Sequence, residues 1–246
     1  MKHILILIAC IPLILQGQDP TEMIRKSEER ARGIKSLKAT VKMTIVRPEW
    51  SREMQMTSWQ KGDDLLMIFI SAPARDKGTA YLKRDKEVWN WLPTIERSVK
   101  LPPSAMAQSW MGSDFTNEDL VREFSLVKDY SHRLLGDTTL EGRKCYKIEL
   151  IPNEGAAVVW GKIYMWISEK DLLQLRSEFY DEDGYLINVM QASKIKQMDD
   201  RMLPTYMEMI PVEEEGQKTV LEYLSMEFDD PISDNFFTTQ QMKRIR

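Results

Sequence analysis

The chain has 246 residues, 43% of them hydrophobic and 29% charged, and its 34 Lys+Arg against 38 Asp+Glu give a net charge of −4. That balance argues against a disordered, fibrous or integral membrane protein, and mild acidity spread along the sequence argues against nucleic-acid binding. The unusual feature is 16 Met and 7 Trp beside only 2 Cys and 2 His.

Met1-Lys2-His3 precede an apolar run from Ile4 to Leu15, which exits through Gln16-Gly17-Gln18. A basic start, a short apolar stretch and a small exit residue describe a secretory signal peptide, cleaved near residue 17 or 18. The run falls short of the roughly 20 residues of a membrane-spanning helix. Residues 1–18 are thus expected as an export signal and 19–246 as a single domain. Leu7-Ile8-Ala9-Cys10 also offers a lipoprotein box, but the apolar run continues past Cys10, so downstream cleavage is preferred. Cys145 is then the only thiol left, and no internal disulfide is expected.

Asp19-Pro20-Thr21-Glu22 carries the signals of a helix start. Met23, Ile24, Ser27, Ala31, Ile34 and Leu37 fall on one side of that helix, with the charged residues largely opposite. From Leu37 the period becomes two, with Ala39, Val41, Met43 and Ile45 alternating with polar residues. A return strand carries Met54 and Met56 on one face, and Leu65–Ile70, including Phe69, is apolar on both faces, as in a strand covered on both sides. Shorter strands follow at 79–84, 87–92 and 97–101. Beyond Pro102-Pro103, Ser104–Met111 and Thr116–Phe124 read as short helices, the second opened by a Thr116-Asn117-Glu118-Asp119 capping box. Strands resume near 126–135, 144–151, 158–168, 172–180, 185–195, 203–211 and 218–228, separated by tight turn signals such as Glu141-Gly142. About a dozen antiparallel strands of this kind curl into a barrel or half-barrel. Several are too short for a membrane-spanning barrel, whose strands need about 9–11 residues.

Catalytic chemistry finds few candidates. One His, His132, and one Cys remain after residue 18, so neither a metal site nor a Ser-His-Asp arrangement is indicated, and no phosphate-binding glycine motif occurs. Neither an enzyme activity nor a cofactor is expected. Binding chemistry is richer. Met106, Trp110 and Met111 either pack the mid-chain helix on the core or form a lid over an apolar cavity. Trp89 and Trp91 share a strand face, in the core or lining that cavity. Met43, Met54, Met56, Phe69 and Phe115 complete the candidate cavity and lid residues. A soft pocket lined by Met and Trp suits an acyl chain, which has no polar features to recognise.

Val88-Trp89-Asn90-Trp91-Leu92-Pro93, Arg97, and Met111-Gly112-Ser113-Asp114-Phe115-Thr116-Asn117-Glu118-Asp119-Leu120 together resemble the LolA-like outer-membrane lipoprotein-sorting proteins. The likeness is to a divergent branch whose signature is an aromatic strand ending in Pro followed by Met-Gly-x-Asp-Phe-x-x-x-Asp-Leu. It implies a curved antiparallel sheet forming an unclosed β-barrel, with an N-terminal helix and short mid-chain helices covering the concave face. It also implies a periplasmic carrier of the acyl chains of lipoproteins or other lipids, moved toward the outer membrane. An inner-membrane exporter is the implied protein partner, and membrane contact is only transient. The competing reading is a non-catalytic adaptor of an exporter complex whose barrel is filled by its own side chains. On this resemblance Arg97 holds the lid or meets a lipid head group, unless it is simply a surface arginine. Asp114, Thr116 and Asp119 cap the second mid-chain helix.

Overall fold

The computed structural model describes residues 19–33, 35–121 and 125–245. The expected signal segment, with Cys10 and the cleavage point, lies outside them, as do Ile34 and the end of the second mid-chain helix.

Helix α1 (Pro20–Arg32) begins where Asp19 accepts a hydrogen bond from the Thr21 amide at 2.9 Å and Pro20 takes the first helical position. It ends at Gly33, whose φ of +78° suits glycine, and a Cβ there would meet Ser36 O at 2.8 Å. Met23, Ile24 and Ser27 form its buried face.

Six strands follow: β1 (Ser36–Val46), β2 (Ser51–Lys61), β3 (Leu65–Ala72), β4 (Ala80–Arg84), β5 (Glu87–Leu92) and β6 (Arg97–Lys100). A crossover then carries the short helix α2 (Asn117–Val121) before β7 (Tyr130–Leu140), β8 (Arg143–Pro152), β9 (Lys162–Ser168) and β10 (Gln174–Tyr180). The last strands are β11 (Leu186–Met198), β12 (Arg201–Pro211) and β13 (Lys218–Phe228), and α3 (Thr239–Met242) lies near the C-terminus. All thirteen form one antiparallel sheet in the order β6-β5-β4-β3-β2-β1-β13-β12-β11-β10-β9-β8-β7. The first strand pairs the last, from Leu37 opposite Phe228 to Val46 opposite Lys218. Strands β6 and β7 are left as outer edges, so the sheet is an unclosed barrel, as the resemblance implies.

Alternation sorts the side chains. Ala39, Val41, Met43 and Ile45 face the inner core with Met54, Met56, Ile68 and Ile70. Strand β3 is buried on both faces because residues 232–245 cover its outer side. There Phe237 and Met242 pack on Met67, Phe69, Ala80 and Leu82 in a second core. Lys61 donates to Ile232 O at 2.9 Å, and Arg84 donates to Phe237 O at 2.9 Å. Nothing in the alternation of residues 232–245 announces this C-terminal strap.

One expected helix is absent. Residues 104–111 form only a turn at Pro103–Ala105, and their amides and carbonyls serve a loop instead. Trp110 N donates to Phe115 O at 2.8 Å, Asn117 N to Gln108 O at 2.9 Å and Glu118 N to Met106 O at 3.1 Å. Met111 and Gly112 turn that loop with positive φ. The strand expected from Leu126 begins at Tyr130, because Asp129 accepts from the Ser125 amide at 2.6 Å and closes a turn there.

Removing the strap's anchor should be costly. Phe237→Ala is expected to lower the unfolding free energy by about 3 kcal/mol in urea titrations. A loss below about 1 kcal/mol would show that the strap does not hold the outer face.

Candidate binding cavity

The inner face of the sheet, α1 and the crossover enclose a cavity of about 430 Å³, inside the range of roughly 300–1,000 Å³ usual for small-molecule sites. Its wall is apolar and sulfur-rich. Six methionines line it, Met56, Met165, Met190, Met207, Met209 and Met226, together with Leu37, Val41, Ile68, Ile163, Phe179 and Leu221. Ser58, Gln60, Gln174 and Ser177 add isolated polar groups. Phe115, Asp119, Ser125 and Leu126 of the crossover close one side, and Ser27 and Ala31 of α1 another. The rim, at the β2–β3 and β4–β5 turns and the end of α1, carries Asp63, Asp64, Asp85 and Glu28 beside Lys86 and Arg32. Burial pushes the Glu28 carboxyl up, against the pull of Arg32 at 3.2 Å.

At the opposite end of the strands the crossover is clasped to the sheet. Arg47, in the β1–β2 turn, pairs with both Asp114 oxygens at 2.9 and 3.1 Å and donates to Gly112 O at 3.1 Å. The pair is largely buried, with 14% of the Arg47 side chain and 9% of that of Asp114 exposed. Thr219 of β13 donates to Asp114 Oδ2 at 2.6 Å and accepts from the Asp114 amide at 2.9 Å. Arg52 donates to Met111 O at 2.9 Å, and Asn188 to Asp114 O at 3.4 Å. Trp110, fully buried, packs on Tyr81 with ring centres 5.2 Å apart and planes tilted by 50°, and burial pushes the Tyr81 phenol up to about 12. The Met-Gly-Ser-Asp-Phe segment is therefore a seal at the base of the half-barrel.

These contacts redistribute the candidate residues. Met56 and Phe115 line the cavity. Met43, Met54 and Trp110 lie in the inner core towards the clasp, with Met111 packed against it. Met106 pairs instead with Val88 in a small separate cluster. Phe69, Trp89 and Trp91 belong to the outer core beneath the C-terminal strap, away from the cavity. A period of two sets which residues share a face, and the strap decides which face is outside. Arg97 is exposed at the start of β6, and the guanidiniums that hold the crossover are those of Arg47 and Arg52.

Asp114 does not cap α2, because its carboxylate is taken by Arg47 and Thr219. Thr116 and Asp119 do form the cap. The Thr116 amide donates to Asp119 Oδ2 at 2.9 Å and the Asp119 amide to Thr116 Oγ1 at 3.0 Å. Trp160 Nε1 donates to the other Asp119 oxygen at 3.1 Å. Burial nonetheless raises the Asp119 pKa, with the Thr116 and Trp160 hydrogen bonds pulling the other way. His132 joins two elements, one ring nitrogen 2.9 Å from Thr21 Oγ1 in α1 and the other 2.7 Å from Leu126 O.

The cavity methionines of β9 to β13 are not among the candidates the sequence singles out, although Met207 and Met209 sit two apart in an alternating strand. Among the described residues no group of three or more His, Cys, Asp or Glu is placed to hold a metal ion. No helix of the described residues is long and apolar enough to cross a membrane.

A protein-family model, described only as an uncharacterized protein, matches residues 62–244. No curated protein matches the chain. Among solved structures, a DUF1329 family protein from Desulfovibrio piger is similar at 24% identity with a TM-score of 0.82, covering 91% of this chain and 97% of its own. A Vibrio parahaemolyticus domain named for outer-membrane lipoprotein sorting has 23% identity and a TM-score of 0.80, covering 92% and 98%. A LolA superfamily protein from Nitrosomonas europaea has 22% identity and a TM-score of 0.77, covering 90% and 98%. At these identities the likeness is one of fold.

Breaking one side of the buried clasp should release the loop. Asp114→Ala is expected to cost roughly 3 kcal/mol and to speed amide exchange across residues 106–116. Arg97→Ala should stay within about 0.5 kcal/mol of the parent. Equal effects of the two substitutions in denaturant titrations would contradict this assignment.

Proposed function

Because the chain belongs to the family whose model it matches and has the LolA-superfamily fold, we propose that it is an exported, periplasmic carrier. It holds the acyl chains of lipoproteins or other lipids in its half-barrel and moves them toward the outer membrane. The single observation that carries this reading is the methionine-lined inner cavity, apolar in its wall and charged at its rim. Unbranched thioethers adapt to an apolar chain of many shapes, whereas a rigid branched wall selects one. The charged rim suits the polar end of an amphiphile and keeps it at the surface, since burying charge is costly.

The open volume favours a carrier over an adaptor whose barrel is filled by its own side chains. In this reading the protein performs no chemical step and needs no cofactor. Its wall is mostly hydrocarbon and sulfur, and the charged groups beside it are engaged: Asp119 by Thr116 and Trp160, Asp129 by the Ser125 amide and Lys83 by Asp63 O. An inner-membrane exporter would supply the cargo, and contact with either membrane would be transient.

Affinity should follow chain length. Each buried methylene contributes about 0.8 kcal/mol, so binding should tighten roughly fourfold per added methylene until the cavity is full, then level off. Isothermal titration with a series of saturated fatty acids reads this directly. Met190→Trp, which fills the cavity, should shorten the length at which affinity levels off. Affinity indifferent to both chain length and Met190→Trp would contradict the carrier reading, as would purified protein whose native mass spectrum never shows saturable lipid.

A further inference from the structure

The outer face of β8–β10 carries a ladder of cations and aromatic rings that the cavity does not use. Strand register sets Lys147 of β8 opposite Trp166 of β9, and Lys162 of β9 opposite Tyr180 of β10. Lys147 Nζ stands 4.4 Å from the Tyr164 ring centre and 4.7 Å from that of Trp166. Lys162 Nζ lies 5.0 Å from Tyr164 and 4.4 Å from Tyr180. The Arg176 guanidinium also lies over the Trp166 ring, 5.6 Å from its centre.

The carboxylates of this strip are already committed. Glu149 accepts from Arg133 at 2.8 Å, and Glu178 accepts from Arg176 at 2.9 Å and from the Tyr180 hydroxyl at 3.0 Å. Among the described residues Lys147 and Lys162 make no ion pair, so the strip is basic on a chain of net charge −4. Ile151, 39% exposed, extends the same face of β8 as apolar surface. None of these side chains lines the cavity.

We propose that this outer face of β8–β10 docks the protein on an anionic lipid surface, with Lys147 and Lys162 meeting headgroup phosphates. Three features select a bilayer over an acidic protein. The face is a pleated sheet, without the anchoring pocket at the centre of a tight protein interface. Its half-buried tyrosines, Tyr164 and Tyr180, join an apolar body to a polar tip, as side chains at membrane interfaces do, while Trp166 lies buried beneath Lys147 and Arg176. Its lysines hold their ammonium groups on the faces of those rings, 4.4 Å from Tyr164 and from Tyr180, without a carboxylate partner among the described residues, which leaves their charge for a headgroup phosphate. Attraction of this kind is weak per charge and screened by salt, as a carrier that must leave the membrane requires. The surface is separate from the cavity, so docking and cargo binding fail independently.

The test is co-sedimentation of the full protein with phosphatidylglycerol–phosphatidylcholine vesicles and with pure phosphatidylcholine vesicles. Binding is expected only to the anionic vesicles and should weaken in high salt. Each lysine at such a surface contributes about fivefold, so Lys147→Glu with Lys162→Glu should weaken binding at least about twentyfold. Lys194→Glu with Lys196→Glu, the same charge change elsewhere on the sheet, should leave most of the binding intact. Fatty-acid binding and thermal unfolding serve as folding controls, and Lys147→Gln with Lys162→Gln replaces the reversal if that variant does not fold. Failure to prefer anionic vesicles overturns the proposal, as does an equal loss in the two charge-reversed proteins. Retention on soluble polyglutamate but not on vesicles would assign the face to an acidic protein instead.

Discussion

The pairing of β1 with β13 is the constraint on which the rest of the molecule depends. Joining first strand to last places both sheet margins, β6 and β7, in mid-sequence, and the chain between them must span the seam. An inner face rich in Leu, Ile and Met cannot be left to water, and a closed barrel would fill it with side chains. The crossover and α1 cover that face instead, and covering from outside leaves space beneath. The cavity follows from an inner face that is shielded without being packed.

What keeps the cover in place is polar. The Arg47–Asp114 pair, with Thr219 and Asn188, ties residues 112–114 to the β1–β2 turn and to β11 and β13. These partners come from strands far apart in sequence, so one carboxylate registers both arms of the sheet against the crossover. At the other end the rim groups are mixed in sign and nearer to solvent. The base is therefore fixed by a buried pair, and the mouth stays open to an amphiphile. The soft methionine wall between them tolerates differences in cargo shape at little packing cost.

Much of this was legible in the sequence because local chemistry agreed with the global fold. The Asp19-Pro20 start of α1, the Thr116/Asp119 cap of α2, and strands β5 and β13 stand where capping, alternation and turn residues put them. The two-sided apolar run of β3 announced a strand covered on both faces, though not what covered it. Phe236-Phe237 and Met242 gain meaning only once they fold back over Met67 and Phe69. The same omission misplaced Phe69, Trp89 and Trp91, since alternation groups residues by face without naming the inner one. Residues 104–111 lack a local reason to prefer a loop, and their hydrogen bonds to residues 115–118 decide the matter. Arg47 carried no signal, because its partner is 67 residues away.

The central claim is that an acyl chain occupies the space bounded by Met56, Met165, Met190, Met207, Met209 and Met226. Methyl NMR of protein labelled at the methionine ε-carbons, titrated with a saturated fatty acid, tests it most directly. Saturable shifts should appear at those six methyls, while Met67 and Met242 beneath the outer strap stay still. Shifts confined to the outer methionines, or no saturable shift at the six, would contradict the account.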